Sequence, residues 1–409
     1  MKLLIVADGR SPITLNWIRY FEKQGHSVFL ASSYPCEVKE LEINLKIIPV
    51  AFSQAAAQKN VEDRDFSSQN LRNVQKFSIK KFTTPKVRTI LRQWLGPATI
   101  PKAARQLHKH ISQFQPDLVH AMRIPYEGML TTYIKPDSPL IISVWGNDFT
   151  LHAKSNPWMG YLTRKALQRI DGIHTDCWRD LHLAHKMGFT VGKPSIVLPS
   201  SGGVRQDIFF PPRNVHKTGN GISSPIIINP RGFRTYVRND IFFKAIPLVL
   251  EKVPEARFIC PGMDGEHQAN RWITELNIPD VVELLPKQTQ EQMGELFRKA
   301  HVAVSPTIHD GTPNSLLESM ACGCFPIAGD LESIREWITS GMNGLLVNPN
   351  SAQDLANAIV SAITHRELRT QAVKHNIHLI SERADYNKVM EKAENFYSEI
   401  IKSQEGKSR

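Results

Sequence analysis

The chain has 409 residues, a length that suits two or three domains. Hydrophobic residues make up 41% and charged residues 22%, an ordinary globular balance that excludes a disordered or fibrous chain. Lys and Arg number 50 against 39 Asp and Glu, so an anionic partner is admitted while nothing is decided about fold. No run approaches the roughly 18 apolar residues needed to span a bilayer. The apolar run Leu3 to Ala7 is also too short for a secretory signal. Five scattered cysteines (Cys36, Cys177, Cys260, Cys322, Cys324) without a CxxC pair read as free thiols of a reducing cytoplasm.

In chain order, Leu3-Leu-Ile-Val-Ala7 has the continuous apolar character of a strand buried on both faces. A helix over about Thr14 to Gln24 puts Trp17, Ile18 and Phe21 on one side and stops at Gly25. Ser27 to Ala31 starts a second strand, and a crossover of this length implies a parallel sheet. Leu118 to Ala121, Leu140 to Val144 and Ser195 to Leu198 continue the alternation. Pro211-Pro212 and the Gly/Ser/Asn-rich run Thr218 to Pro225 break it. It restarts with Ile226 to Ile228, a helix from Asn239 to Lys252, and strands at Arg257 to Cys260, Val281 to Leu284, Val302 to Ser305 and Phe325 to Ala328. A helical tail runs from about Ala384 to Lys402. The expected architecture is α/β: two tandem Rossmann-like domains facing each other across a cleft, with the C-terminal helix returning to the first. Domain 1 is expected over 1–205, a linker over 206–224, domain 2 over 225–383 and the tail over 384–409.

The most informative stretch is Ser305 to Cys324. It follows a strand, and Thr312 suits an N-cap with Pro313 at the first helical position. The helix then runs to Gly323. Its N terminus would offer backbone N–H groups at Asn314 and Ser315 to a phosphate. Glu318 shares a face with Asn314 and Ser315, and Asp310 precedes the helix in its loop. The residues alone equally suit a capped core helix with two solvated acids. A second constellation packs Arg231, Arg234 and Arg238 into eight residues after a strand. A guanidinium fork matches phosphate oxygens, although such a run also suits a basic surface loop.

The Asp310-to-Glu318 spacing, followed by Ser319-Met-Ala-Cys-Gly323, resembles the signature of the large family 4 of retaining glycosyltransferases, with Asp where their first acid is usually Glu. Met1 to Ser32, Pro116 to His120, Ser143 to Asp148, Val197 to Val204 and Gly344 to Pro349 resemble other segments of that family, so the likeness covers nearly the whole chain. It implies a GT-B fold and metal-independent transfer from a nucleotide-diphosphate sugar to a glycan, lipid-linked or small-molecule acceptor, with no cofactor. Arg231, Arg238 and the N–H groups of Asn314 and Ser315 would stabilise the leaving diphosphate. Asp310 would hold donor-sugar hydroxyls and Glu318 the ribose. Gly311, Thr312 and Arg234 complete the substrate-binding set. His120, with Met122 where many members have a second His, would touch the transferred hexose. Asp148 would face the acceptor. From the residues alone, His120 equally suits a structural role, and Gly146 with Asp148 a plain strand-exit turn.

Other signals are weaker. Asp63-Arg-Asp65 is a DxD triplet with no strand leading into it, and His108, His110, His182 and His185 lack a third ligand at metal spacing, so no metal site is expected. Neither GxGxxG nor a P-loop is present. From Phe66 to Pro116 ten Lys and Arg occur with no acid, interleaved with aromatics such as Phe77, Phe82 and Trp94. This is either a solvated helical face or a patch for the anionic inner face of a membrane. A nucleic-acid partner is not expected. A non-catalytic polyanion-binding protein and a sugar-nucleotide epimerase are the alternative functions, the second lacking a recognisable acid–base pair.

Overall fold

The computed structural model describes residues 1–38, 41–53, 92–134, 136–212 and 224–405. The DxD triplet, residues 66–91 of the basic stretch and residues 213–223 of the expected linker lie outside the described residues. The chain divides into two units. Met1–Asp176, Asp180–Val197 and Ala393–Arg409 form unit 1; Cys177–Arg179 and Leu198–Lys392 form unit 2.

Unit 1 carries seven strands: β1 (Lys2–Ala7), β2 (Ser27–Ser32), β3 (Asn44–Ile47), β4 (Leu118–Ala121), β5 (Leu140–Val144), β6 (Gly172–Thr175) and β7 (Ser195–Val197). All pair in parallel in the order β3-β2-β1-β4-β5-β6-β7. β1 lies central because Leu3 to Ala7 are buried on both faces. The sequence reading missed β3 and β6. β3 is a largely exposed edge strand, and β6 buries Gly, His and Thr beside a single aliphatic residue, so neither shows an apolar run.

The helix Pro12–Lys23 has proline in its first turn, buries Trp17, Ile18 and Phe21, and ends before Gly25 at φ 79°. The helix Ile100–Phe114 buries Ala103, Ala104, Leu107 and Ile111 and turns Lys102, Arg105 and Lys109 outward. The last helix, Tyr386–Glu405, completes unit 1 with its C-terminal part. Tyr397 stacks on Phe21 at 5.1 Å, and Glu394 accepts a hydrogen bond from the Tyr20 hydroxyl. Gly172 permits the approach, since a Cβ there would meet Ile400 at 2.5 Å.

Unit 2 carries six parallel strands: β8 (Ile226–Ile228), β9 (Arg257–Pro261), β10 (Val282–Leu285), β11 (Val302–Ser305), β12 (Phe325–Gly329) and β13 (Leu345–Val347). Their order is β10-β9-β8-β11-β12-β13. The helices Asn239–Leu250 and Ala352–Thr364 pack against this sheet through Ile241, Phe242, Ile246, Leu355 and Ile359. In each sheet the order reverses at one point, between β1 and β4 in unit 1 and between β8 and β11 in unit 2. Loops leaving neighbouring strands diverge there and open a crevice at the strand carboxyl ends. No helix among the described residues is long and apolar enough to cross a membrane.

Candidate functional site

At the unit 2 reversal, the loop after β8 carries Arg231 and the loop after β11 carries Asp310. The loops are tied together. The Ile308 N–H donates to the Tyr236 carbonyl at 2.9 Å, as does the Thr307 hydroxyl at 3.2 Å. Asn239, at the head of the next helix, donates from its side-chain amide to the Gly232 carbonyl at 3.0 Å. Gly232 takes φ 62°, which lets the chain turn directly after Arg231. The result is an ion pair between Arg231 Nη2 and Asp310 Oδ2 at 2.6 Å, with side chains only 9% and 15% exposed.

Three guanidinium groups act on that carboxylate. Burial raises the Asp310 pKa from its ordinary value, while Arg231, Arg234 and Arg179 pull it back. Arg179, which sequence reasoning missed, donates to the Asp310 carbonyl at 2.6 Å and to the Ser333 hydroxyl at 3.1 Å. Its signal is weak because Arg179 lies 131 residues from Asp310 in the chain. Glu318 is pushed up to about 7 by burial, against the pull of the same Arg231. Arg231 is therefore coupled to both acids of the sequence motif.

The helix that holds Glu318 spans Asn314–Ala321, and no side chain caps its N terminus. The expectation that Thr312 caps it is corrected. Pro313 occupies the cap position, and the Thr312 hydroxyl accepts from the Trp337 indole at 3.0 Å. The uncapped terminus keeps the positive end of the helix dipole beside the loop of Gly311 and Asp310. Ser315 lies in the first turn, and the side-chain oxygen of Asn314 accepts from Ser200 at 3.5 Å.

Arg238 does not join this cluster. It has a left-handed backbone (φ 56°) and binds Asp240 through two nitrogens at 2.9 and 3.0 Å, with Asn350 on a third. Its guanidinium is spent on its own helix start, which corrects its expected role on the diphosphate. Arg234 is exposed and donates to the Tyr236 hydroxyl, yet its charge reaches Asp310.

Two expectations in unit 1 are also corrected. His120 is 1% exposed. Its Nε2 hydrogen-bonds Ser143, which continues to His174, and its Nδ1 hydrogen-bonds Tyr397. Trp17 packs on its ring at 5.4 Å. Burial and His174 hold its pKa well below the usual value, so it is a neutral core residue rather than a sugar contact. Asp148 is likewise buried. It pairs with Arg123 at 2.9 Å and accepts from the N–H groups of Ile124 and Trp145. It shapes the turn and holds Arg123, and its oxygens are committed.

Two family models match consecutive parts of the chain. Residues 2–176 match a model described as glycosyl transferase 4-like, and residues 213–378 match glycosyl transferases group 1. The chain belongs to glycosyltransferase family 4. Among solved structures, this family 4 chain is similar to sucrose-phosphate synthase from Thermosynechococcus elongatus, with a TM-score of 0.73 at 13% identity over 98% of this chain and 100% of that one. It is also similar to Anabaena HepE in complex with UDP and glucose, with a TM-score of 0.67 at 16% identity over 98% and 100% of the two chains. These likenesses establish the GT-B fold. In sequence it is 29% identical over 115 residues to a D-inositol 3-phosphate glycosyltransferase of Geodermatophilus obscurus, covering 28% of this chain and 26% of that relative. The match thus spans about a quarter of the relative's length.

Proposed function

We propose that this family 4 chain transfers a sugar, with retention of anomeric configuration, from a nucleotide-diphosphate sugar to a glycan, lipid-linked or small-molecule acceptor. One observation carries the reading. Arg231 lies against Asp310, is felt by Glu318, and shares the sheet reversal with an uncapped helix start. A diphosphate that gains charge as its glycosidic bond breaks needs preorganised cations and N–H dipoles. Arg231, assisted by Arg234 and the first turn at Asn314 and Ser315, supplies them. A carboxylate at Glu318 accepts hydrogen bonds from a ribose diol, and Asp310 accepts them from sugar hydroxyls. These cations take the part that a divalent ion plays elsewhere, so we assign no metal or cofactor to the reaction. The UDP and glucose bound by HepE support a UDP-sugar as the first donor to test.

Four buried thiols and one partly buried thiol, none of them in a disulfide, support a reducing, cytoplasmic setting. Exposed Trp94 and Leu95, with outward Lys102, Arg105 and Lys109, support contact with an anionic membrane face. Salt-sensitive cosedimentation with anionic vesicles tests that contact, and equal binding to neutral vesicles contradicts it.

The decisive assay presents the chain with a panel of nucleotide sugars in EDTA. Nucleotide release that rises with acceptor, and an NMR spectrum showing the donor's anomeric configuration in the product, are expected. An isomerised donor, or no turnover of any donor, would overturn the reading.

A further inference from the structure

The unit 1 sheet reversal carries a cavity of about 250 Å³, the volume share of about eight waters. It suits one sugar ring or a phosphorylated head group. The loops after β1, β4 and β5 line it, together with Arg92. Its carboxylates are already engaged. Of the lining carboxylates, Asp8 binds Arg10 through both oxygens and Glu127 accepts from Ser33; Asp148, outside the lining, holds Arg123 and two backbone N–H groups. The surplus is of donors. Among the described residues, Arg92 Nε, Arg123 Nε and Trp145 Nε1 are buried and meet no hydrogen-bond acceptor, and all three residues line this one cavity. A buried donor without a partner is costly, and three in one cavity mark an unmet demand for acceptors.

The donors are also held in place. The Arg92 guanidinium lies 5.4 Å from the Tyr34 ring and 5.0 Å from the Tyr126 ring, and that of Arg123 lies 5.4 Å from Trp145. Tyr126 is held at φ 70°, a costly conformation for a bulky residue and one that collects at ligand sites. His152, on the same wall, is lowered to about 4 by burial and by Arg123 and Arg92, so it is neutral at pH 7 and adds no cation.

We propose that this cavity binds an oxyanion, a carboxylate or a phosphate monoester carried by a sugar or polyol, as a subsite for the acceptor. Its role as an acceptor subsite rests on the transferase reading above; its preference for an anion rests on the cavity alone. The test titrates the full chain with glucose 6-phosphate, glucuronate and glucose, and separately with UDP, by calorimetry. At least one of the two anions should bind about tenfold or more tighter than glucose, and the stronger one names the anion type. Arg92→Met and Trp145→Phe, each removing one unpartnered donor, should lose most of that preference. Unchanged UDP binding in both variants reports an intact fold. Equal binding of all three sugars, or variants that keep the full preference, would overturn the proposal. Loss of UDP binding by the wild type would instead count against the donor reading and leave the anion preference standing.

Discussion

The two units share a parallel sheet with one reversal of strand order and place Arg–carboxylate pairs at it, yet the crevices differ in the buried groups left over. In unit 2 a guanidinium meets carboxylates: Arg231 pairs with Asp310 and is felt by Glu318. In unit 1 the lining Asp8 holds Arg10 and the lining Glu127 accepts from Ser33, and the buried donors of Arg92, Arg123 and Trp145 are left over. The sheet determines where a ligand lies, and the loops determine what it is. A crevice with both signs suits a ligand that brings an anion and hydroxyl donors together, as a nucleotide-diphosphate sugar does. A crevice with spare donors alone suits a ligand rich in acceptors.

That contrast can be broken first at Arg231. Arg231→Met should lower turnover of a nucleotide sugar by about 10²–10³-fold, the usual cost of one transition-state donor, measured as nucleotide release under saturating donor. In unit 1, Tyr397→Phe should act on stability and not on chemistry. It strips the partner from His120 Nδ1 in a fully buried network. The loss of about 1–3 kcal/mol is roughly a 5- to 150-fold change in the folding equilibrium, read from urea unfolding, with donor KM unchanged.

The next effect is a pH dependence. Glu318 ionises at about 7, so its capacity to accept from a ribose diol grows as pH rises. Between pH 6 and 8 the ionised fraction grows by about tenfold, and UDP affinity should follow it. Glu318→Gln should remove this component, with the UDP titration measured identically in both proteins. The stability linkage runs the other way. A carboxyl whose folded pKa is raised favours the folded state while protonated, so wild-type stability falls relative to Glu318→Gln as pH climbs from the ordinary Glu range through 7. The smallest effect is expected at Arg238. Its pair with Asp240 is partly exposed, and Arg238→Met should change UDP affinity less than threefold and stability by about 1 kcal/mol or less.

Much of the fold was legible in the chain because buried parallel strands are continuous apolar runs. β1, β4, β5 and β8 were readable on that ground, whereas β3 and β6 carry polar or glycine residues and were not. The acids of unit 2 were legible because Asp310 and Glu318 lie on one strand–loop–helix segment, where local spacing governs geometry. Arg238 misled because sequence proximity to Arg231 does not show that Asp240, two residues on, captures it. His120 misled because its partner Tyr397 is 277 residues away, and nothing local marks a histidine for burial. Arg92, Arg123 and Trp145 were not singled out for the same reason: they meet only when the loops after β4 and β5 come beside the segment that carries Arg92.

The central claim is that Arg231, paired with Asp310 and felt by Glu318, seats a diphosphate. Calorimetric titration of wild type and Arg231→Met with UDP and with uridine tests it most directly. The account predicts that wild type binds UDP at least a hundredfold tighter than uridine and that the substitution abolishes most of this difference while uridine affinity stays the same. Equal UDP affinity in the two proteins, or uridine binding as tightly as UDP, would contradict it.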